Sequence, residues 1–155
     1  MSTAQEKIAS LASYFWHLAH GSDYDYTGEG FKSESAYKKA EAEDLKVVLP
    51  EPNQLFIDID NDFAMALFEK NYTDFVQWYC PTGDPVITPS KSGGERRHVT
   101  ITVKDHLKPM ERLILQAFLG SDLKREFLGL QRIKAGDKNP TLFLEKNGVP
   151  VQNFG

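Results

Sequence analysis

The run Leu55-Phe56-Ile57-Asp58-Ile59-Asp60-Asn61-Asp62 is apolar where it begins and acidic where it ends, and few folds accommodate that combination. It reads as a buried strand. Successive side chains on a strand alternate faces, so Ile57 and Ile59 share one face while Asp58 and Asp60 share the other, roughly 7 Å apart along the backbone. One face belongs to a core and the other carries charge. Two carboxylates on one strand face repel each other and stay ionised only with compensation, which a divalent cation taking hard oxygen ligands supplies. The plainer reading is an exposed strand edge followed by an Asn-Asp helix cap. From this stretch alone both readings stand.

A chain of 155 residues is expected to form a single domain and to bury a real core without disulfides. The lone Cys80 has no intramolecular partner, and with only four histidines a zinc finger built on cysteines is excluded. A reducing, cytoplasmic setting is expected. No stretch approaches about 18 uninterrupted apolar residues, and Met1 to Lys7 lack the basic region and apolar run of a signal peptide, so neither export nor a membrane partner is expected. The net charge of -4 argues against a broad basic surface, and any grip on nucleic acid has to come from a local patch.

Residues Ala4 to His20 set Ile8, Leu11, Ala12, Phe15, Leu18 and Ala19 at helical spacing, which predicts an amphipathic helix ended by Gly21, with His17 and His20 on its surface or at its end. From Gly21 to Pro52 the chain turns polar, and an irregular segment followed by a short exposed helix over Ser35 to Asp44 is expected. Asp23 and Asp25 repeat the D-x-D spacing without an apolar strand around them and read as turn residues. Tyr24, Tyr26, Phe31 and Tyr37 suggest that this segment packs on the core or on a partner. Residues 1–53 thus form a helical and irregular extension, and residues 54–155 the core of one compact domain.

After the acidic strand, a helix capped by Asn61 or Asp62 runs to about Tyr79, its aromatics directed to the core. Val86-Ile87-Thr88 is a short strand, Pro89 to Arg97 a loop of Ser, Gly and basic residues, and His98 to Val103 an alternating strand with Val99, Ile101 and Val103 on one face and His98, Thr100 and Thr102 on the other. Pro109 opens a helix that Gly120 stops; Ser121 or Asp122 caps another that Gly136 ends; Pro140 to Glu145 is a last strand. This order suits an α+β fold, a ferredoxin-like or RNA-recognition-motif-like antiparallel sheet with helices on one face, whose open face would carry Asp58, Asp60 and His98.

Three features converge on that face: the Asp58/Asp60 pair, the loop Ser90-Lys91-Ser92-Gly93-Gly94-Glu95-Arg96-Arg97 leading into His98, and Asp122. Glycines let backbone N–H groups approach a polyphosphate, and Lys91, Arg96 and Arg97 offer cations that match phosphate oxygens. A flexible hairpin loop, a locally satisfied His and a helix-capping Asp are the plainer alternatives. In order and spacing the three features resemble the archaeo-eukaryotic primase superfamily, the primase-polymerases of phages, plasmids and mobile elements. That family carries a D-x-D motif at a strand end, a Ser/Gly-rich loop leading to a strand-borne His, and a later single Asp. Phe56-Ile57-Asp58-Ile59-Asp60 matches the first, Pro89 to Ile101 looks like the second, and Ser121-Asp122 is the candidate for the third. Arg125 and Arg132 follow the last acid, where such proteins often place basic residues.

The resemblance covers roughly residues 54–146. It implies a metal-dependent nucleotidyltransferase in which Asp58, Asp60 and Asp122 hold Mg²⁺ or Mn²⁺, while Ser90, Lys91, Ser92, Gly93, Arg97, His98 and Arg132 bind the nucleotide. It also implies nucleotides and single-stranded or primed DNA as partners, with a helicase or other replication protein beside them. The chain departs from the strict family form in carrying Arg96 two residues before the His, where that form has Ser, and in placing Asp122 at a helix cap instead of on a strand. A non-catalytic accessory protein on the same scaffold and a metal-dependent phosphoesterase are the alternative readings.

Overall fold

The computed structural model describes residues 3–21, 34–89, 96–137, 140–146 and 149–151. In chain order these form α1 (Ala4–Gly21), α2 (Glu34–Glu43), β1 (Lys46–Val48), β2 (Gln54–Ile59), α3 (Asp62–Trp78), β3 (Val86–Pro89), β4 (Arg97–Thr102), α4 (Pro109–Phe118), α5 (Leu123–Lys134), β5 (Phe143–Lys146) and β6 (Val149–Val151). The helix ends follow local chemistry. Thr3 caps the start of α1, the Glu6 N–H donating to Thr3 Oγ1 at 3.1 Å, while the Thr3 hydroxyl donates to Glu6 Oε1 at 3.2 Å. Asn61, not Asp62, caps α3: its Oδ1 accepts from the Ala64 N–H at 2.8 Å. Pro109 opens α4, and Gly120 follows it with a φ of 92°, where a Cβ would lie 2.7 Å from the Ala64 carbonyl oxygen of α3.

The fold is α+β and its strands pair antiparallel, in two three-stranded sheets of order β2-β4-β3 and β1-β5-β6. The alternation along β2 and β4 sets the core. Leu55, Ile57 and Ile59 join Val99, Ile101 and Val103 on one face, against Phe68 and Phe75 of α3 and Leu115 and Phe118 of α4, with Ile8 and Leu11 of α1 alongside. Of the α3 aromatics expected in the core, Phe68 and Phe75 are buried; Phe63 and Trp78 are exposed instead, because they fall on the helix face turned from the sheet.

The opposite face is not open. The second sheet covers it, and the Phe143 ring of β5 stacks on Phe56 at 4.3 Å and on His98 at 3.8 Å between centroids. Two elements of that covering layer are three residues long, and β1 lies within the polar segment expected to be irregular. Ala40 of α2, Leu142 and Leu144 form its small core, so the segment before residue 54 does pack on the rest of the chain. Tyr37 is exposed; Asp23, Tyr24, Asp25, Tyr26 and Phe31 lie outside the described residues.

β2 is an edge strand of its sheet, and its free edge is satisfied by side chains instead of by another strand. Gln54, Phe56 and Asp58 turn their backbone polar groups away from β4. The Phe56 N–H donates to Gln116 Oε1 at 2.8 Å and the Asp58 N–H to Ser121 Oγ at 3.0 Å. The Asp122 N–H donates to the Asp58 carbonyl at 2.9 Å, the Arg112 guanidinium to the Gln54 carbonyl at 2.8 Å, and the Arg125 guanidinium to the Phe56 carbonyl. Arg125 also reaches the Leu142 carbonyl at 3.2 Å and pairs with Glu126 at 2.9 Å, so one guanidinium occupies the position where β5 would otherwise have paired with β2. Glu126 is fully buried and in turn accepts from Gln116 at 2.8 Å.

Removing that guanidinium would strand two buried carbonyls and leave Glu126 without its cation, a loss on the order of 3–5 kcal/mol. Arg125→Ala is therefore expected to lower the stability read from urea unfolding by about that amount, and Arg125→Lys to recover less than half of it, since an ammonium cannot bridge three acceptors in one plane. A loss below about 1 kcal/mol for Arg125→Ala would show that the bridge is not what closes the edge.

Candidate functional site

The β2/β4 register sets Asp58 directly opposite His98. Both point to the covered face, each is 4 % exposed, and His98 Nε2 lies 3.8 Å from Asp58 Oδ1. Among the described residues neither ring nitrogen of His98, nor Asp58 Oδ1, has a hydrogen-bond partner. At 3.8 Å the two groups touch without a hydrogen bond. Burial, assisted by the Arg125 and Arg96 charges, pushes the His98 pKa down to about 3, so the imidazole is neutral at physiological pH. Burial also raises the Asp58 pKa; Arg125 and Arg96 oppose that rise, while Asp122 and Asp60 reinforce it. Both other acids singled out in the sequence thus act electrostatically on Asp58, although Asp60 and Asp122 each have a partner of their own. Asp60 Oδ1 is held by Arg96 at 2.7 Å, and Asp122 Oδ1 caps α5 by accepting from the Lys124 N–H at 3.1 Å.

Of the nucleotide-binding residues expected from the sequence, Ser90, Lys91, Ser92 and Gly93 lie outside the described residues. Arg97 pairs with Asp62 at 3.2 Å across the start of α3. Arg132 is buried and donates to the Pro140 carbonyl at 3.1 Å, a structural role at the far end of α5. Three further groups bear on the site: Phe143, which the sequence did not single out and which roofs His98; Arg125, noted only as a basic residue after the last acid, whose charge acts on both members of the pair; and Arg96, noted as a loop cation for phosphate, which pairs with Asp60. A polar residue at a buried helix position was the readable signal for Arg125; the Phe143 contact is non-local and leaves none.

As donors the pair offers one carboxylate oxygen and one imidazole nitrogen, of which only the carboxylate is of the oxygen type that a hard divalent cation takes. Asp58 presents a buried carboxylate oxygen whose ionised form Arg125 and Arg96 compensate only in part, and His98 is an unprotonated imidazole beside it. Among the described residues no three His, Cys, Asp or Glu side chains are grouped closely enough to enclose an ion. No protein-family model, curated protein or solved structure matches the chain. No described helix is long and apolar enough to cross a membrane.

The pair imposes a pH dependence of known sign. An unfolded chain protonates His98 near 6.5 but the folded chain only near 3, so stability falls with pH through that window, at a limiting slope of about 1.4 kcal/mol per pH unit. Asp58 works the other way: its raised pKa lets the folded state hold a proton that the unfolded chain has lost, which favours folding as pH falls toward the ordinary carboxylate range. Urea unfolding of wild type and His98→Phe between pH 7 and pH 4 separates the two. The variant is expected to lose less stability over this range, or to gain some; parallel curves would rule out a neutral, buried His98.

Proposed function

We propose that the chain is a metal-dependent nucleotidyltransferase of the primase-polymerase type, acting on single-stranded or primed DNA with Mg²⁺ or Mn²⁺. The observation that carries this reading is the cross-strand Asp58–His98 pair, two buried groups without hydrogen-bond partners among the described residues, on the face away from the hydrophobic core, with Asp60 just past the end of β2. Native proteins seldom leave such groups unsatisfied without a use for them. Asp58 and Asp60 would hold the ion, with Asp122 adding negative charge beside them. An ion bound there supplies the charge that acidifies a 3′-hydroxyl and stabilises a departing pyrophosphate. His98, kept neutral, would donate an N–H to a phosphate oxygen, and Ser90, Lys91, Ser92, Gly93 and Arg97 would line the triphosphate. The small size and the net charge of -4 favour work beside a helicase or other replication protein in the cytoplasm, because the chain alone grips a polyanion poorly.

A second reading is supported by a different observation. Asp60 is neutralised by Arg96, Asp122 is spent on a helix cap, and Phe143 covers His98, as suits an accessory protein that keeps the scaffold without the chemistry. Incorporation of labelled deoxy- or ribonucleotides on primed and unprimed templates with Mn²⁺ distinguishes the two. Asp58→Asn is expected to abolish incorporation by about a thousand-fold or more, the loss of several kcal/mol of charge stabilisation. The same change relieves an uncompensated buried carboxyl, so the variant should be as stable as wild type or up to about 1 kcal/mol more stable. Absence of incorporation by wild type, with no metal or nucleotide binding by calorimetry, favours the accessory reading; cleavage of single-stranded DNA without added nucleotide favours a phosphoesterase.

A further inference from the structure

At the end of β4 away from His98, where Thr102 faces Gln54, the chain closes a second depression. The Lys104 N–H donates to the Cys80 carbonyl at 3.0 Å and the Leu107 N–H to the Pro52 carbonyl at 2.8 Å, so the segment after β4 is tied both to the end of α3 and to the turn before β2. A cavity of about 170 Å³ lies there, lined among others by Trp78 and Tyr79, by Asp105 and Glu111, and by Lys104 and His106. Several of these groups are held in place. Tyr79 stacks on the buried Phe75 at 5.2 Å between centroids, with the ring planes 11° apart, and Glu111 Oε1 accepts from the Lys108 N–H at 3.3 Å at the start of α4. Burial and the Glu111 charge raise the pKa of the Tyr79 phenol, as expected when carboxylate and phenol face one space. Trp78 is 53 % exposed although it is apolar, and among the described residues Asp105 has no ion-pair partner.

We propose that this cavity binds a compact organic cation of the quaternary-ammonium class, with Trp78 and Tyr79 as its aromatic walls and Asp105 and Glu111 as its counter-charges. The proposal is independent of the nucleotidyltransferase reading and uses none of its residues. An aromatic ring attracts a cation through the negative face of its quadrupole, Trp most strongly, and the attraction grows as the cation sheds water. Two carboxylates against Lys104 leave the cavity negative when His106 is uncharged. Lys104 is exposed, and its flexible stem lets the ammonium turn to solvent when another cation enters. The alternatives fit less well. A small metal ion holds its water too tightly to gain from aromatic walls, and it leaves most of the space unfilled. An anion meets both carboxylates, and a purely apolar ligand would desolvate them without compensation. A quaternary ammonium is large, weakly hydrated and charged, so it uses both the rings and the acids. That head group is carried by free small molecules and by trimethylated lysine side chains of proteins.

Titration of the full chain with choline tests this, read from the ligand's methyl-proton NMR signal and from tryptophan fluorescence in Trp16→Phe, which leaves Trp78 as the only indole. Choline is expected to bind with a Kd of about 1–10 mM, more weakly as salt is raised. The neutral isostere 3,3-dimethylbutan-1-ol should bind at least about five-fold more weakly. Trp78→Ala should weaken choline about five-fold or more, with Trp78→Phe recovering part of the loss, and Asp105→Asn combined with Glu111→Gln should weaken it by a similar factor. Trp78 is exposed at a helix end and Gln keeps the acceptor that Glu111 offers Lys108, so these variants should fold, which circular dichroism checks. Equal binding of the neutral isostere overturns the proposal, as does the absence of any choline signal from wild type at about 50 mM. Full affinity in both Trp78→Ala and the double acid variant overturns it as well, since binding then lies elsewhere. A peptide bearing one trimethyllysine separates the two sources: affinity about ten-fold above that of choline assigns the cation to a protein side chain, and affinity no better than choline assigns it to a free molecule.

Discussion

The free edge of β2 is the constraint on which the rest of the structure depends. Gln54, Phe56 and Asp58 turn their backbone polar groups toward a side where no strand lies, and the strand is buried too deeply for water to serve them. Leaving a buried donor or acceptor unmade costs about 1–3 kcal/mol each, so this edge could not exist uncovered. α4, α5 and the turn between them answer it with Arg112, Gln116, Ser121, Asp122 and Arg125, each aimed at one group of the edge. The strand order β2-β4-β3 is that of a ferredoxin-like sheet lacking its fourth strand at the β2 edge, and Arg125 is what occupies the gap.

Closing the edge in this way also builds the candidate site. The Asp122 N–H reaches the Asp58 carbonyl, which fixes the start of α5 at the acidic end of β2 and brings the Asp122 carboxylate within electrostatic range of Asp58. Displacing β5 from the β2 edge lets it cross the opposite face, where Phe143 seals Phe56 and His98. The desolvation that perturbs both Asp58 and His98 is thus a consequence of where the fourth strand went.

What was legible in the sequence is what alternation and local capping encode. Ile57 and Ile59 against Asp58, and Val99 and Ile101 against His98, follow from the period of a strand, and the facing of Asp58 and His98 follows once the two strands pair. Asp122 reads as a cap because a carboxylate before a helix has a local donor to accept from, and it does cap. The choice between Asn61 and Asp62 was not resolvable by type, since both residues cap well; the residue with extended backbone just before the first turn took the role. Phe143, the pairing of Arg96 with Asp60 and the two shortest strands were out of reach for a different reason. β1 and β6 are three residues each, too short for a period to show, and the Arg96–Asp60 and Phe143–His98 contacts join residues 36 and 45 positions apart. The polar residues of α4 and α5 were the signal left unused. Gln116, Arg125 and Glu126 occupy buried helix positions, and a side chain of that kind is retained there only when a fixed partner waits for it.

The same local charges bear on how an acidic chain handles a polyanion. Around the pair stand Asp58, Asp60, Asp62 and Asp122 against Arg96, Arg97 and Arg125, a set that is slightly negative when all the carboxyls are ionised. Arg125 is committed to backbone carbonyls and each of the other arginines is held by an aspartate, so no strong positive field reaches outward. Under the nucleotidyltransferase reading a triphosphate would meet an attractive surface only after a cation had neutralised the acids, so the negative net charge would make nucleotide binding depend on metal.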